Sequence, residues 1–240
     1  EIISRKSKKL ISLNEINKLP VDLKKKIKRD INVITKRKKK IKSLRFRETP
    51  IIMGVLNMTP DSFSDGGKFN SFKTAFQRIE EMKKAGADVI DIGGESTRPG
   101  SKIISQKDEL RRVRKVVEKF KKKFPKALFS IDTRKSLVMN FSLKNGVDII
   151  NDVSCFKFDP NSFKIIKNKN LWKIIHHMKG TPQTMQINPK YRHVLIDIYD
   201  FFEKEIKKFK KQKYNKKLIL DPGIGFGKNL KHNLMILSKI

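Results

Sequence analysis

The chain has 240 residues and 38% of them are hydrophobic, which is enough to bury the core of one large domain or two small ones. This composition excludes a chain that is disordered along its whole length. The 57 Lys and Arg residues outnumber the 24 Asp and Glu residues, so the formal net charge is +33. Such an excess raises nucleic acid or an anionic membrane as a partner, but long runs of charge are more often solvated surface.

The chain lacks the features of membrane and secreted proteins. No uncharged apolar run approaches the ~18 residues needed to cross a bilayer, and the first residues lack the apolar core of a secretion signal. Cys155 is the single cysteine and cannot form an internal disulfide, so we expect it to be a small buried side chain. These features predict a cytoplasmic protein with no membrane partner.

Residues 1–49 are strongly basic and contain no glycine. Ser12 and Glu15 have the spacing of a capping box for a short helix, and Pro20 followed by Asp22 can open a second helix. We therefore predict a basic N-terminal helical extension or partial domain over residues 1–49 and a separate domain over residues 50–240.

After residue 49, short apolar runs alternate with loops rich in Gly, Ser, Asp and Pro and with helical stretches such as 71–85 and 106–120. The predicted strands are residues 51–57, 88–92, 128–132, 147–151, 172–176 and 217–221. Their uniformly apolar interiors are typical of parallel strands that helices cover on both faces. Six β/α units in this length indicate an incomplete TIM (β/α)8-type barrel with about six of its eight units, and a doubly wound open sheet is the alternative.

A polar side chain lies at or near the carboxyl end of every predicted strand. These residues are Asn57, Asp91, Asp132, Asn151, His176 or His177, and Asp221. In a parallel barrel these ends meet at one mouth, where so many carboxylates and amides would be costly unless they bind something. Carboxylate and amide groups suit the N–H donors and ring nitrogens of a flat polar heterocycle, which we predict as the ligand.

Three loops follow these strand ends. Residues 57–67, NMTPDSFSDGG, have the composition of a lid with Phe63 as its apolar contact. In residues 93–100, GGESTRPG, the hydroxyls, the Arg98 cation and the glycines suit an anion such as phosphate. Residues 221–228, DPGIGFGK, lack the ending of a nucleotide-binding P-loop; their glycines would keep the mouth open and Phe226 would form an apolar wall.

Together these segments resemble bacterial dihydropteroate synthases over residues 51–240. The likeness is carried by residues 57–67, DIGGESTRPG at 91–100, SIDT at 130–133, INDVS at 150–154, HMKGTPQTMQ at 177–186 and LDPGIGFGKN at 220–229. The resemblance implies a barrel enzyme of folate synthesis that joins 7,8-dihydropterin-6-ylmethyl diphosphate to 4-aminobenzoate. Diphosphate is released with the help of Mg²⁺, and sulfonamides imitate the aminobenzoate.

The resemblance also implies roles for single residues. Asn57 would bind Mg²⁺ and the diphosphate, and Thr97 would contact the pterin diphosphate. The residues implied to hold the pterin are Asp132, Asn151 and Asp221, with Asp91 near the reacting methylene, so that the catalytic set is Asp91, Asp132 and Asp221. The residues implied for the aminobenzoate and its loops are Ser62, Phe63, Arg98, Pro99 and Phe226.

The chain departs from the family pattern in two ways. The family usually has Met where this chain has His176, and adjacent His176 and His177 cannot both face inward from an extended strand, which argues against a paired metal site. The Ser-Arg-Lys and Arg-x-His segments of the family's seventh and eighth strands do not occur before Ile240. We therefore expect residues 1–240 alone to be a poorly stable, inactive piece of an active enzyme, which is expected to be a homodimer when complete.

Two other functions compete with this one. A pterin-dependent methyltransferase acting between a reduced folate and a corrinoid protein would share the barrel and the pterin floor, but it needs neither the long first loop nor a diphosphate site. A basic nucleic-acid-binding protein would bind DNA or RNA in a steeply salt-dependent manner through its first residues. We do not expect nucleic acid to be the main partner.

Overall fold

The computed structural model describes residues 2–36, 50–59, 70–98, 100–166, 169–211 and 217–239. The chain divides into two compact units, residues 1–50 and residues 51–240. No helix within those described ranges is long and apolar enough to cross a membrane.

The first unit is small and largely helical. Strands β1 (Ile2–Ile3) and β2 (Lys8–Lys9) pair in antiparallel fashion, and a 3-10 helix (Asn14–Lys18) and helix α1 (Val21–Thr35) follow. The Ser12 backbone N–H donates to the Glu15 carboxylate at 2.7 Å, and the Glu15 N–H donates to the Ser12 hydroxyl at 3.4 Å. The predicted capping box is therefore present. None of the α1 residues is buried, while Ile16 is.

The second unit alternates strands and helices. Its strands are β3 (Met53–Asn57), β4 (Val89–Gly93), β5 (Leu128–Asp132), β6 (Ile149–Asp152), β7 (Trp172–His176) and β8 (Leu218–Asp221). Its helices are α2 (Asn70–Lys84), α3 (Gln106–Lys123), α4 (Ser136–Lys144), α5 (Ser162–Ile166), α6 (Val194–Lys211) and α7 (Leu230–Leu237). The predicted strands β5 and β7 have the bounds expected from sequence, and the other four differ by one or two residues at their ends.

The strand order identifies the architecture. All six strands are parallel and lie in the order β3-β4-β5-β6-β7-β8, so each strand neighbours the next one in the chain. A doubly wound sheet would reverse its strand order at a switch point, whereas a barrel continues in one direction. The prediction of about six units of a (β/α)8-type barrel is therefore confirmed. Among the described residues β3 and β8 each pair on one side only.

The main core lies between the sheet and the surrounding helices. Ile90, Ile92, Phe129 and Ile131 point outward from β4 and β5 and are buried against the helices, as alternation along a strand requires. Aromatic rings extend this packing, since the Phe120 ring of α3 lies 4.7 Å from the Phe129 ring. The opposite face carries a second buried layer that includes Val89, Ile149 and Ile174.

Two aspartates stabilise the amino ends of the strands. The Asp88 carboxylate accepts the N–H of Ile52 at 2.9 Å, and the Asp148 carboxylate accepts the N–H of Phe129 at 3.0 Å. Lys121 from α3 also donates to Asp148 at 2.7 Å. Each carboxylate therefore ties its own strand to the preceding one in the sheet.

The loop after β6 contains the single cysteine in an uncommon backbone conformation. Cys155 and Phe156 have φ of 56° and 60°, in the left-handed region that side chains other than glycine rarely adopt. The Asp152 carboxylate accepts the N–H groups of Ser154 at 2.7 Å and Phe156 at 3.1 Å, which holds the turn in place. The Cys155 side chain is buried, as predicted.

Candidate active site

The parallel register aligns four strand ends at one level. Asn57 on β3 is the partner of Gly93 on β4, Gly93 is the partner of Asp132 on β5, and Asp132 is the partner of Asn151 on β6. Since alternate residues of a strand share a face, Asp91 lies one level below Gly93 on the same inner face. The predicted site residues of these strands are therefore brought together.

Gly93 leaves an open space between two of them. A Cβ atom at Gly93 would lie 3.5 Å from Asn57 Oδ1 and 3.5 Å from Asp132 Oδ2. The amide oxygen of Asn57 and the carboxylate of Asp132 thus face the same small gap. A side chain at position 93 would occupy it.

The inner face carries polar atoms that have no hydrogen-bond partner among the described residues. Asn151 Nδ2 donates to Asp91 Oδ2 at 2.9 Å, but the second oxygen of each side chain, Asp91 Oδ1 and Asn151 Oδ1, is buried without a partner. Ser130 Oγ and His176 Nδ1 also lack a well-formed hydrogen bond, although the Ser130 hydroxyl lies near enough to Asp91 to lower the pKa of that carboxyl. Buried polar groups are nearly always paired, so this face is arranged to receive the hydrogen bonds of a ligand or of water.

The carboxylates of this face have perturbed acidities. Burial raises the pKa of Asp91, and burial together with the nearby charge of Asp91 raises the pKa of Asp132 well above its usual range. Carboxylates in this state are costly to ionise until N–H donors reach them. A ligand that donates hydrogen bonds would therefore stabilise their charged form.

The third carboxylate lies at the end of β8. Asp221 is the register partner of His176, and its carboxylate accepts the N–H of Gly223 at 2.8 Å. His176 Nε2 lies 4.0 Å from Asp221 Oδ2, and the Phe226 ring packs edge-to-face on the His176 ring with centroids 4.6 Å apart. Phe226, which the sequence predicts to form an apolar wall of the mouth, is half-buried.

The two adjacent histidines have different surroundings. His177 Nδ1 lies 3.0 Å from Lys228 Nζ, and the His177 ring packs edge-to-face on Phe201 of α6. Lys228 is buried and also donates to the carbonyls of His177 at 3.2 Å and Phe226 at 2.9 Å. His176 therefore lies with the inner polar residues, while His177 is a core residue that contacts a helix.

The loop after β4 carries the predicted anion-binding residues. Thr97 is half-buried and Arg98 is exposed. Gln183, in the loop after β7, donates to the carbonyl of Ser101 at 3.0 Å and so ties this loop across the mouth. The predicted residues Ser62, Phe63 and Pro99 lie outside the described residues.

A buried cluster of charged residues behind the mouth was not predicted. It comprises Glu95 after β4, Glu109 in α3, and Arg134 and Lys135 after β5. The available signal was the pair of cations that follows Asp132 and Thr133, since charge directly after a buried strand must find a partner.

The donor set can accommodate Mg²⁺ only with the help of a substrate. Within the described ranges no three His, Cys, Asp or Glu side chains form a cage for a metal ion. Mg²⁺ is commonly held by one or two protein oxygens together with substrate phosphates and water. The amide oxygen of Asn57, exposed at the mouth, fits that mode.

Comparison with known proteins shows the family of the chain. The family model described as pterin binding enzyme matches residues 53–240. The dihydropteroate synthase of Escherichia coli strain K12 is 43% identical over 192 residues, which cover 80% of this chain and 67% of that protein. The chain therefore spans about two thirds of the length of this curated relative.

Solved structures give the same result. The Yersinia pestis dihydropteroate synthase, crystallised with a sulfonamide drug, has a TM-score of 0.73 and 43% identity, covering 79% of this chain and 68% of that one. The Burkholderia cenocepacia dihydropteroate synthase, in complex with 7,8-dihydropteroate, has a TM-score of 0.70 and 36% identity, covering 81% of this chain and 66% of that one. With its barrel order and its polar mouth, this chain belongs to the pterin-binding enzymes and, among them, to the dihydropteroate synthases.

Proposed function

We propose that the inner polar face binds the pterin of 7,8-dihydropterin-6-ylmethyl diphosphate and that 4-aminobenzoate reacts with it to give 7,8-dihydropteroate and diphosphate, a step of folate biosynthesis. The observation that carries the proposal is the pair of buried oxygens, Asp91 Oδ1 and Asn151 Oδ1, that have no hydrogen-bond partner among the described residues. The relative solved with 7,8-dihydropteroate supports the choice of ligand.

The pterin ring matches these atoms in chemistry. Its guanidine-like edge presents N–H donors to carboxylate oxygens, for which Asp132 and Asp221 are suited, while Asn151 can both donate and accept. Hydrogen bonds from the ring favour the ionised carboxylates and so offset the burial that raises the pKa of Asp91 and Asp132. Binding of the ring would therefore supply hydrogen bonds that the buried oxygens of Asp91 and Asn151 otherwise lack.

We assign the diphosphate and the aminobenzoate to the loops at the mouth. Thr97 and Arg98 offer a hydroxyl and a cation for the diphosphate, and Asn57 offers an oxygen to Mg²⁺. When bound, Mg²⁺ would neutralise charge on the departing diphosphate. Phe226, whose ring packs edge-to-face on His176, would form one side of the aminobenzoate pocket. Ser62, Phe63 and Pro99 would form the rest of this pocket.

The chemical step is a displacement at the methylene carbon. The C–O bond to the diphosphate breaks, the aromatic amine forms a new C–N bond at that carbon, and the amine then loses a proton. Positive charge develops on the pterin methylene as diphosphate leaves, and preoriented carboxylates such as Asp91 stabilise it electrostatically. We assign catalytic roles to Asp91, Asp132 and Asp221 on this basis.

The proposal is tested in two ways. Binding of the pterin diphosphate is measured by calorimetry on this chain, and product formation from the pterin diphosphate and labelled 4-aminobenzoate is measured on the chain extended by two β/α units from the Escherichia coli relative. Asp132→Ala should reduce pterin affinity and product formation by about 100-fold, equivalent to about 2.7 kcal/mol, because the ring loses a charge-assisted partner. Asp200→Ala, at an exposed position of α6, is the matched control and should change neither.

Thermal unfolding separates binding from folding. Asp132→Ala should retain the melting temperature of the parent protein within a few degrees, since within the described ranges no hydrogen bond like that from Ile52 to Asp88 ties the Asp132 side chain to another strand. Unchanged pterin affinity in a folded Asp132→Ala protein would contradict the proposal. Methyl transfer from a reduced folate, without incorporation of aminobenzoate, would indicate the methyltransferase alternative.

A further inference from the structure

The buried charged cluster of Glu95, Glu109, Arg134 and Lys135 is formed by direct contacts. Lys135 Nζ donates to Glu95 Oε1 at 2.8 Å and to Glu109 Oε2 at 2.6 Å. Arg134 Nε donates to Glu95 Oε2 at 2.8 Å. All four side chains are at most 7% exposed, so two carboxylates and two cations neutralise one another away from water.

The cluster joins three segments that surround the mouth. Glu95 lies between Gly93 and Thr97 in the loop after β4, and its carboxylate also accepts the N–H of Ile104 at 3.1 Å farther along that loop. Lys135 lies three residues after Asp132, and Glu109 lies in the first turn of α3. The Thr133 hydroxyl donates to Glu109, which adds a bond directly beside Asp132.

Stability alone does not account for this arrangement. Moving four charges out of water carries a large desolvation cost, and well-packed apolar residues of the same volume often stabilise a fold as much or more. The core around it is built in that apolar way, with Val113, Val116 and Phe129 fully buried. Fixed geometry and fixed charge are what an ionic cluster provides and an apolar one does not.

We propose that this cluster is a positioning device for pterin diphosphate: it holds the Thr97–Arg98 loop in register with Asp132 and sets the charge around that carboxylate. The inference rests on the proposed function and assigns positioning roles to Glu95, Glu109 and Lys135. None of the three needs to touch the substrate.

The electrostatic part follows from the groups that face Asp132. Asp91 on β4, Asp152 on β6, Glu109 on α3 and Glu95 in the loop all raise the pKa of Asp132, after burial itself. Lys135 neutralises two of these four carboxylates through its contacts. Removal of Lys135 should therefore make Asp132 harder to ionise, and removal of the Glu109 charge should make it easier.

This opposition gives the experiment. Affinity for 7,8-dihydropterin-6-ylmethyl diphosphate, without aminobenzoate, is measured by calorimetry across pH 5–9 for the parent protein, Lys135→Met and Glu109→Gln. The midpoint of the pH dependence should move to higher pH in Lys135→Met and to lower pH in Glu109→Gln. At the pH of the parent midpoint we expect Lys135→Met to lose at least threefold in pterin affinity. At the same pH Glu109→Gln should lose less affinity than Lys135→Met, or gain affinity.

A purely structural role would give a different pattern. Each single variant leaves a buried charge unpaired, so both variants should unfold at a lower temperature than the parent protein. A purely structural role would shift the midpoints of both pH profiles in the same direction, or would shift neither midpoint. Lys135→Met with Glu109→Gln removes one charge of each sign, and this double variant should return the midpoint toward that of the parent. If Lys135→Met alone fails to fold, the pH midpoints of Glu109→Gln and of the double variant are compared instead.

The outcomes separate the two hypotheses. A parent protein that binds no pterin at any pH overturns the proposed function and this inference with it. A parent protein that binds pterin, combined with shifts of equal sign or with a double variant that stays as displaced as Lys135→Met, overturns this inference alone.

Discussion

At the scale of single residues, the absence of a side chain at Gly93 shapes the mouth as much as any carboxylate does. The Asn57 amide and the Asp132 carboxylate both face the gap that Gly93 leaves. Gly94, next to it, has a different role, because a Cβ there would lie 2.9 Å from Glu109 Cγ and 2.9 Å from Val113 Cγ1. One glycine therefore opens the site and the other permits α3 to pack on the loop.

We predict that Gly93→Ala and Gly94→Ala separate binding from stability. Gly93→Ala should change the free energy of unfolding by less than about 1 kcal/mol, because its new contacts are ordinary, but should weaken pterin diphosphate binding about tenfold or more. Gly94→Ala should destabilise the fold by about 1–3 kcal/mol through overpacking. Urea unfolding and calorimetry measure the two effects, and equal affinity losses in both variants would contradict this assignment.

His176 introduces a titratable group beside a proposed pterin ligand. Burial lowers the pKa of His176, opposed by Asp221 at 4.0 Å and reinforced by Lys228, so the ring is neutral at pH 7. A protonated ring at acid pH would pair with the Asp221 carboxylate that the pterin requires. This residue could be noticed in the sequence, but its distance from Asp221 could not.

Since the pKa of His176 is lowered from its usual value of 6.5, we predict that below pH 6.5 pterin affinity falls more steeply in the parent protein than in His176→Met. The variant places the residue that the family usually has at this position and removes the titrating group. Affinities measured by calorimetry at several pH values test this. Superimposable pH profiles of the two proteins would show that His176 does not compete for Asp221.

At the scale of secondary-structure elements, the loop after β8 lies directly against the end of β7. A Cβ at Gly223 would lie 2.0 Å from the carbonyl oxygen of His177, and one at Gly227 would lie 2.6 Å from that of Lys179. Both glycines also have positive φ, of 70° and 64°. The sequence interpretation that these glycines keep the mouth open is therefore incomplete, because close backbone approach requires them.

The contact between His177 and Lys228 makes this part of the fold sensitive to acid. Burial, assisted by the Lys228 charge, lowers the pKa of His177 to about 3, against about 6.5 in the unfolded chain. Titration of His177 therefore leaves the free energy of unfolding unchanged above pH 6.5. As the pH falls from 6.5 toward 3, the free energy of unfolding decreases, because the unfolded chain binds the proton and the folded chain does not. The loss amounts to about 1.4 kcal/mol per pH unit in that range.

We predict that His177→Gln is less sensitive to acid than the parent protein. The Gln carbonyl can still accept from Lys228 Nζ but does not titrate. Between pH 6.5 and pH 4.5 the parent should lose about 2–3 kcal/mol more unfolding free energy than the variant, measured by urea denaturation. Equal losses of unfolding free energy in the two proteins would mean that His177 titrates with the same pKa in the folded and the unfolded chain.

Particular residues show what could be predicted from sequence at this scale. The strand ending at Asp132 was predictable because its interior is uniformly apolar and a polar residue stops it. Ile51 and Ile52 continue the apolar pattern but precede β3, because Ile52 bonds to Asp88 at the amino end of the sheet. The ionic cluster could not be predicted, since its partners Glu95, Glu109 and Lys135 come together only when three separate segments fold.

At the scale of the whole molecule, the sheet is an open arc of a barrel within the described residues. Val55 on β3 is 57% exposed and Leu220 on β8 is 44% exposed, whereas the residues of strands β4 to β7 are buried apart from the half-buried Asp132 and Asn151. Edge strands present unpaired N–H and C=O groups as well as this apolar surface. The homodimer expected for a complete enzyme and the cytoplasmic location stay predictions.

We predict that two further β/α units, taken from the Escherichia coli relative and appended after α7, raise the melting temperature by several degrees, because they would pair the edges of β3 and β8. Differential scanning calorimetry measures the change. A segment of equal length and shuffled sequence is the control and should give no increase. Equal melting temperatures for the two extended proteins would show that the edges do not limit stability.

Part of the large positive charge has a structural explanation at this scale. Arg134, Lys135 and Lys228 are buried and bonded to carboxylates, carbonyls or a histidine. On the surface, Lys119 and Lys123 of α3 lie over the rings of Phe72 and Phe76 of α2, at 5.1 Å in each case. These cations contribute to packing without a nucleic-acid partner.

Because Cys155 is buried in the turn after β6, its reaction with alkylating reagents reports local unfolding of that turn. It is the single thiol of the chain and is 1% exposed, and burial raises its pKa to about 12, so the thiolate that reacts with alkylating reagents is essentially absent while the turn after β6 is closed. Alkylation must wait for that turn to unfold. The rate of alkylation therefore measures how often the turn beside Asn151 unfolds. A slower rate in the presence of a ligand would show that the ligand binds at the neighbouring strand end and stabilises the folded turn.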